Sequence, residues 1–432
     1  MLIINKYKSS FIDAVTSKGY EHFMFFICIL YTLTAIPLLD INSLFKNVII
    51  FGSLPILFLK LSKKEGDNRI FWLFIFSFFI QIASWVNSLY TVPEFASSSP
   101  QIKFLSALFL FIFISFWING SKERALILYA SLIISFILTA GYDHILHNSL
   151  ALGMAGKRVD FGMHNAQFTS MLSVVVFGLT IYIMAQLPKI HYKLAIYGIG
   201  ITIIIFSLFS LVISQSRQVW LALIIVALLS PLFFYRTLNY KRALSIYFLI
   251  AISCIALFNV NFIQKRVISE SEVIEKVVSG DWNNIPMTSV GIRVNSWLEA
   301  SQWIAKSPIL GTDQESIGYV IRSSEKFKAQ PWTLGFGHLH NFYIETLVAY
   351  GLIGILFLIM FYKEIIKNII INKGYQEHIL LASFLIFWFT INFFESYNSK
   401  ELGLYAQNII LAGMFTYRNS TLKNKPTPLL FK

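Results

Sequence analysis

The chain has 432 residues, of which 56% are hydrophobic and 13% charged, and its formal net charge is +13. That balance excludes a soluble globular protein, and several uncharged runs of about 18 or more residues can each cross a hydrocarbon layer of about 30 Å. Basic residues concentrate in alternate loops, as orientation in a membrane requires, so no nucleic-acid partner is needed to explain the charge.

The reading is an all-α integral membrane protein with about twelve transmembrane helices and one long, partly helical outer loop. The first span runs from His22 to Leu39 after a polar segment with Lys6, Lys8 and Lys18. No small-residue cleavage site follows it, so it reads as an uncleaved span. Further spans are predicted at 44–61, 70–90, 103–119, 124–143, 166–186, 192–213, 218–235, 243–261, 341–362, 376–394 and 402–417. Residues 1–261 thus hold helices one to nine, 262–340 the loop, and 341–432 the last three helices with a short cytoplasmic tail. With a cytoplasmic N-terminus, 21 of the 35 basic residues fall in cytoplasmic segments and six in short outer segments. The other eight lie in the long loop, balanced by eight acidic residues, and long loops translocate largely regardless of charge. Both termini are therefore expected in the cytoplasm. Cys28 and Cys254 fall inside spans, which argues against a disulfide framework.

Within the long loop, Lys265–Val278 places Val267, Ile268, Ile274, Val277 and Val278 at helical spacing. Arg293–Ala305 places Val294, Trp297, Leu298 and Ile304 on one side, and Ser307-Pro308 ends it. A second outer loop, about 144–165, carries His144, His147, Arg158, Asp160, His164 and Asn165.

Arg217 opens the eighth span in SQSRQVWLAL, where a guanidinium can hold a phosphate through two parallel hydrogen bonds. Leu221, four residues on, shares its face and would point it toward packed protein. A snorkelling interfacial arginine is the plainer alternative. Arg293, in GIRVNSWLEA, could equally be a solvated surface charge, and Arg158 beside Lys157 could be part of a generic basic turn. His340 has the intrinsic chemistry of a general base, against the alternative of a capping histidine. If a helix begins at Asn341, Gly351 lies about three turns and ~16 Å deeper on the same face, where a glycine lets a neighbouring helix come close. His338 could be a decoy. Glu395, in NFFESYNSK, is an alternative base, an orienting partner for His340, or an ordinary boundary acid.

Some signals are missing. The outer side has no Asp-x-Asp pair to hold a divalent metal. His144 and His147 could form a two-histidine clip, but no carboxylate or cysteine at ligand spacing completes it. There is no P-loop, GxSxG or Rossmann fingerprint.

Taken together, these stretches resemble the O-antigen ligase family of bacterial envelope glycosyltransferases. SQSRQVWLAL matches its Ser-x-Ser-Arg and Arg-x3-Leu signatures through Arg217 and Leu221. His340 to Gly351 matches its His-x10-Gly signature within a His-Asn-x-Tyr-Ile-Glu segment. GIRVNSWLEASQWIAKSPILG is similar to the stretch between them, with Arg293 at the family's arginine position, and VDFGMHNAQ around Asn165 is similar to its outer-loop segment. In PILGTDQESIG the chain departs from the family, because Asp313 stands where a second glycine often does. The likeness covers about 150–355.

The resemblance implies a GT-C-like helical fold in the bacterial inner membrane, with the active site facing the periplasm. The donor would be a glycan on undecaprenyl pyrophosphate and the acceptor a sugar hydroxyl of lipid A-core, with no metal and no cofactor. Arg217, Arg293 and Arg158 would bind the pyrophosphate, His340 would take the acceptor's proton with Glu395 as partner or rival, and Asn165, Asn341 and Gly351 would support them. A protein O-oligosaccharyltransferase shares donor and motifs but often carries a soluble C-terminal domain, whereas this sequence runs about fifteen residues past its last span. An O-antigen polymerase is a further alternative. A lipid-linked-sugar transporter would be expected to show internal repeats and polar or broken helices at midplane.

Overall fold

The computed structural model describes residues 12–62, 68–186, 193–233, 239–259, 264 and 268–417. Helices form the whole framework, with no strand among the described residues. In chain order they are α1 (Lys18–Thr34), α2 (Leu39–Ser62), α3 (Asn68–Thr91), α4 (Lys103–Ile118), α5 (Lys122–His147), α6 (Ser149–Met154), α7 (Ala166–Gln186), α8 (Lys193–Ile213) and α9 (Arg217–Phe233). There follow α10 (Tyr240–Phe258), α11 (Ser271–Val278), α12 (Ser289–Lys306), α13 (Ser316–Arg322), α14 (Glu325–Lys328), α15 (Phe342–Asn372), α16 (Tyr375–Phe394) and α17 (Glu401–Met414).

Every predicted span overlaps one of these helices. Among the described residues, seven helices are long and apolar enough to cross a membrane, and α4 and α9 are shorter apolar helices. The protein is therefore a multi-pass membrane protein. In the loop, the first predicted helix is found as α11 over Ser271–Val278, with Ile268 helical before a turn at 269–270 and residues 265–267 outside the described residues. The second is α12, but it buries Ile292, Ser296, Ala300 and Trp303 and leaves Leu298 outward, so the predicted apolar side was rotated. Lys6 and Lys8 also fall outside the described residues.

The centre of the bundle is α17, whose residues from Tyr405 to Met414 are buried without interruption. It packs on α4, α5 and α7, while α9 lies along α16 and α3 along α15. A helix apolar on all sides must be enclosed by others. One of its polar contacts repairs a neighbour. α4 is interrupted by a 3-10 turn at Ala107–Phe109, and Asn408 spans the defect by accepting from Phe111 N at 2.7 Å and donating to Ala107 O at 3.1 Å. Gln81 of α3 accepts from Leu105 N at 3.0 Å. Irregular backbone at membrane depth persists when other protein groups satisfy it.

A second break organises the site. Gly351 has φ 58 and ψ −155, which kinks α15. The chain Pro308–Asp313 enters the gap. Val348 O and Ala349 O accept from Thr312 N (2.8 Å) and Asp313 N (3.1 Å), and Leu352 N and Ile353 N donate to Pro308 O (2.9 Å) and Ile309 O (3.2 Å). A Cβ on Gly351 would lie 2.4 Å from Ile309 backbone atoms, and one on Gly311 would lie 2.3 Å from those of Ala349. Gly351 thus admits loop backbone, not the neighbouring helix the sequence suggested. Asp313 adopts φ 75, a left-handed conformation more natural to glycine. Ser97 Oγ donates to its carboxylate at 2.6 Å and Ser84 Oγ accepts from its amide at 3.0 Å. The loop is thereby fastened to α15 at its Gly351 break.

Candidate active site

Asn341 caps α15, accepting from Tyr343 N at 3.0 Å and Ile344 N at 3.1 Å. One turn in, Glu345 is 1% exposed and accepts from Leu339 N (2.7 Å) and Ser396 Oγ (2.5 Å). A single carboxylate therefore pins the turn before α15 to the turn after α16. On its other side, Leu339 O accepts from Ser296 Oγ (3.2 Å) and Trp297 Nε1 (2.9 Å) of α12. His340 follows with φ 54. A non-glycine residue holds that conformation only when its surroundings fix it, and here both the amide and the carbonyl of the preceding residue, Leu339, are tied down.

Glu395, 4% exposed, is the hub. Oε2 lies 3.0 Å from His340 Nδ1 and 3.6 Å from Arg293 Nη2, and Oε1 lies 3.3 Å from His338 Nε2. Burial favours its protonated form, but the hydrogen bonds from His338 and His340 outweigh this and hold the carboxyl well below its usual range. Burial pushes His340 below its ordinary value, with His338 and Arg293 adding to the fall against the pull of Glu395. Near neutral pH the pair is therefore a carboxylate and a neutral imidazole. An ionised carboxylate only accepts, so Nδ1 carries the proton and Nε2 presents its lone pair. Arg293, 8% exposed, is held by Phe394 O (3.0 Å) and Ser289 O (2.7 Å).

Arg217, at the start of α9, bonds Glu270 at 2.9 Å, and its charge and that of Glu270 both reach Arg293. Arg158 Nε donates to Ser214 O at 3.2 Å, which seats it on the turn before Arg217. The charges of Arg158, Arg293 and Glu395 all act on the buried Tyr397 phenol, whose pKa burial raises. The structure thus gathers His340, Glu395, Arg293, Arg217 and Arg158 at one end of the bundle. Asn165 is exposed at the start of α7, where its Oδ1 accepts from Gln167 N at 3.1 Å and Gln167 O in turn accepts from Tyr397 OH at 3.3 Å. Leu221 is 43% exposed, so the face below Arg217 is not the packed one expected. His338 shares Glu395 with His340, and their rings lie 4.2 Å apart.

Sequence reasoning missed the roles of Glu270 and Tyr397, and met Glu345 only as the last residue of the His-Asn-x-Tyr-Ile-Glu segment. The links that place them in the cluster are long-range: Arg217 lies 53 positions from Glu270, Ser396 lies 51 from Glu345, and Tyr397 is reached through packing. Two buried polar atoms beside the cluster, Ser216 Oγ and Asn341 Nδ2, have no hydrogen-bond partner, as substrate-facing groups often do not.

His338, His340 and Glu395 also bring three potential metal-ligand atoms within 4.8 Å of one another. Arg293 beside the same carboxylate opposes a metal ion there. The predicted gap at His144 and His147 is partly filled, because Asp143 bonds His147 Nδ1 at 2.8 Å. His144 instead accepts from Leu150 N at 3.4 Å.

Residues 202–359 match the family model described as O-antigen ligase. An uncharacterized protein of Haemophilus influenzae is 27% identical over 358 residues, covering 79% of this chain and 85% of that protein. The matched family segment contains Arg217, Glu270, Arg293, His338, His340 and Gly351.

Proposed function

We propose that the protein is an O-antigen ligase of the bacterial inner membrane. It moves a glycan from undecaprenyl pyrophosphate to a sugar hydroxyl of lipid A-core at the periplasmic face. The observation that carries this reading is His340 bonded to Glu395, with Arg293 on the same carboxylate and Arg217 acting on Arg293, at one end of a multi-pass bundle. Twelve membrane crossings, cytoplasmic termini and a periplasmic long loop belong to the same reading.

Transfer breaks the bond between the anomeric carbon and the pyrophosphate oxygen and forms one to the acceptor oxygen. Negative charge gathers on the leaving diphosphate and a proton leaves the acceptor. His340 Nε2 takes that proton as general base, and the imidazolium formed is stabilised by Glu395. Arg217 and Arg293, with Arg158 behind them, meet the diphosphate charge in a partly dry site, where fixed cations act most strongly. In-line attack inverts the anomeric carbon. These groups supply charge stabilisation and proton removal without a metal ion. An apolar cavity of about 1110 Å³ between α15 and α16 has Tyr343, Phe393 and Phe394 in its lining, and Arg293 is bonded to the carbonyl of Phe394. That continuity suits a donor with a charged head and a long apolar tail.

The test is complementation of a ligase-deficient strain. The wild-type gene restores capped lipopolysaccharide on a gel, while Arg217→Ala and His340→Ala do not despite normal protein levels. Full capping by His340→Ala sinks the assigned role. Polymerised lipid-linked glycan with no transfer to lipid A-core makes the protein a polymerase instead.

A further inference from the structure

Glu270 stands just before α11 and is 6% exposed. Oε1 meets Arg217 Nη2 at 2.9 Å, while Oε2 accepts from Thr288 Oγ1 at 2.5 Å and from Val290 N at 3.3 Å. Thr288 caps α12, the helix that carries Arg293. A buried carboxylate is thus lodged between the cation assigned to the donor and the helix bearing the second cation.

Charge balance gives this contact a consequence. Arg293 has Glu395 as its counter-ion and Arg217 has Glu270, so the two guanidiniums are already neutralised. A diphosphate brought beside Arg217 would face the Glu270 carboxylate at short range, and like charges in a partly buried site repel strongly. A phosphate oxygen can accept from the same guanidinium, hydroxyl and amide. Beside them, the buried hydroxyl of Ser216 has no partner. The segment carrying Glu270 is lightly anchored, because α11 buries only Val273 and leaves Ile274 and Val278 outward.

We propose that Glu270 is a displaceable stand-in for the leaving diphosphate: it fills the seat formed by Arg217, Thr288 and the Val290 amide, and a polyprenyl diphosphate expels it on binding. This rests on the donor assignment above. Glu270 then sets the donor's apparent affinity and keeps the arginine pair neutral between turnovers. A merely structural Glu270 would instead position Arg217, and its loss would weaken binding.

The experiment titrates undecaprenyl pyrophosphate into the purified full-length protein in detergent, with thermal midpoints measured in parallel. Glu270→Gln keeps the size and removes the competing charge, so it binds about tenfold more tightly, the gain expected when a closed state no longer competes. Glu270→Asp, a milder change should Gln unfold the protein, also binds more tightly. Thr288→Val binds more weakly, since it removes a seat donor. Wild-type binding with unchanged or weaker binding by the folded Glu270 variants, or with unchanged binding by Thr288→Val, overturns the proposal and leaves the donor assignment standing. No binding by wild type removes both.

Discussion

Replacing Glu395 by Gln separates orientation from charge at the site. The amide is isosteric, yet it cannot accept at both positions that now face His340 and His338, 3.0 and 3.3 Å away. Without the carboxylate, His340 loses the partner that keeps its proton on Nδ1, and kcat falls by about 10²–10³, within the usual range for a positioned general base. Arg293, 8% exposed, loses its counter-charge. Breaking a buried pair costs roughly 3–5 kcal/mol, and the retained bonds to Phe394 O and Ser289 O place this case near 3 kcal/mol. The pH profile gives a sharper check. Neutral His340 is the active form and burial holds its pKa below the ordinary value. Wild-type activity is therefore complete at neutral pH, and it is lost only as the pH falls through a midpoint below the ordinary histidine range. Glu395 raises the His340 pKa, so its removal moves that acidic limb to lower pH while the plateau drops. The assay is initial-rate glycan transfer against pH, with thermal midpoints from intrinsic fluorescence. A variant with a full plateau, or with the limb moved upward, would refute the reasoning.

Other substitutions test the supports. Glu345→Ala strands the Leu339 amide at a cost of about 1–3 kcal/mol, and it lowers kcat more than it raises the donor KM, because it frees the His340 turn. Gly351→Ala sets a Cβ 2.4 Å from the Ile309 backbone at φ 58. It destabilises the fold by about 2 kcal/mol or more, read as a lower thermal midpoint. Arg293→Lys cannot span Phe394 O, Ser289 O and Glu395 together and lowers transfer about tenfold or more, read in the same rate assay. Asp313→Gly relieves a left-handed aspartate but loses the Ser97 bond, so its thermal midpoint stays close to wild type, whereas Asp313→Val drops sharply.

Much of this was legible in the residues because hydrophobic length and charge alternation are local signals. Each predicted apolar run overlaps a helix, and the helix cap at Asn341 can be read from neighbouring positions. His340 and Glu395 were each visible, and Glu395 as the partner of His340 was one of the alternatives, but across 55 positions the sequence alone could not choose it over the others; the 3.0 Å contact does. The breaks in α4 and α15 were hidden for the same reason: the groups that repair them, Asn408 and the Pro308–Asp313 chain, are brought in by packing. These breaks also remove one expected contrast with transporters, although both are sealed by protein. Periodicity misled at Leu298 and Leu221, where apolar side chains face outward. A membrane solvent rewards outward apolar residues, so hydrophobicity alone cannot tell the packed side of a helix from the lipid side.

The most direct test of the central claim is a reconstituted reaction of purified protein, undecaprenyl-pyrophosphate-linked glycan and lipid A-core, run with wild type, His340→Ala and His338→Ala. Wild type forms glycan-bearing lipid A-core, His340→Ala forms none above background, and His338→Ala retains part of the rate. Equal product from folded His340→Ala and wild type, or no product from wild type with both lipids present, contradicts the account.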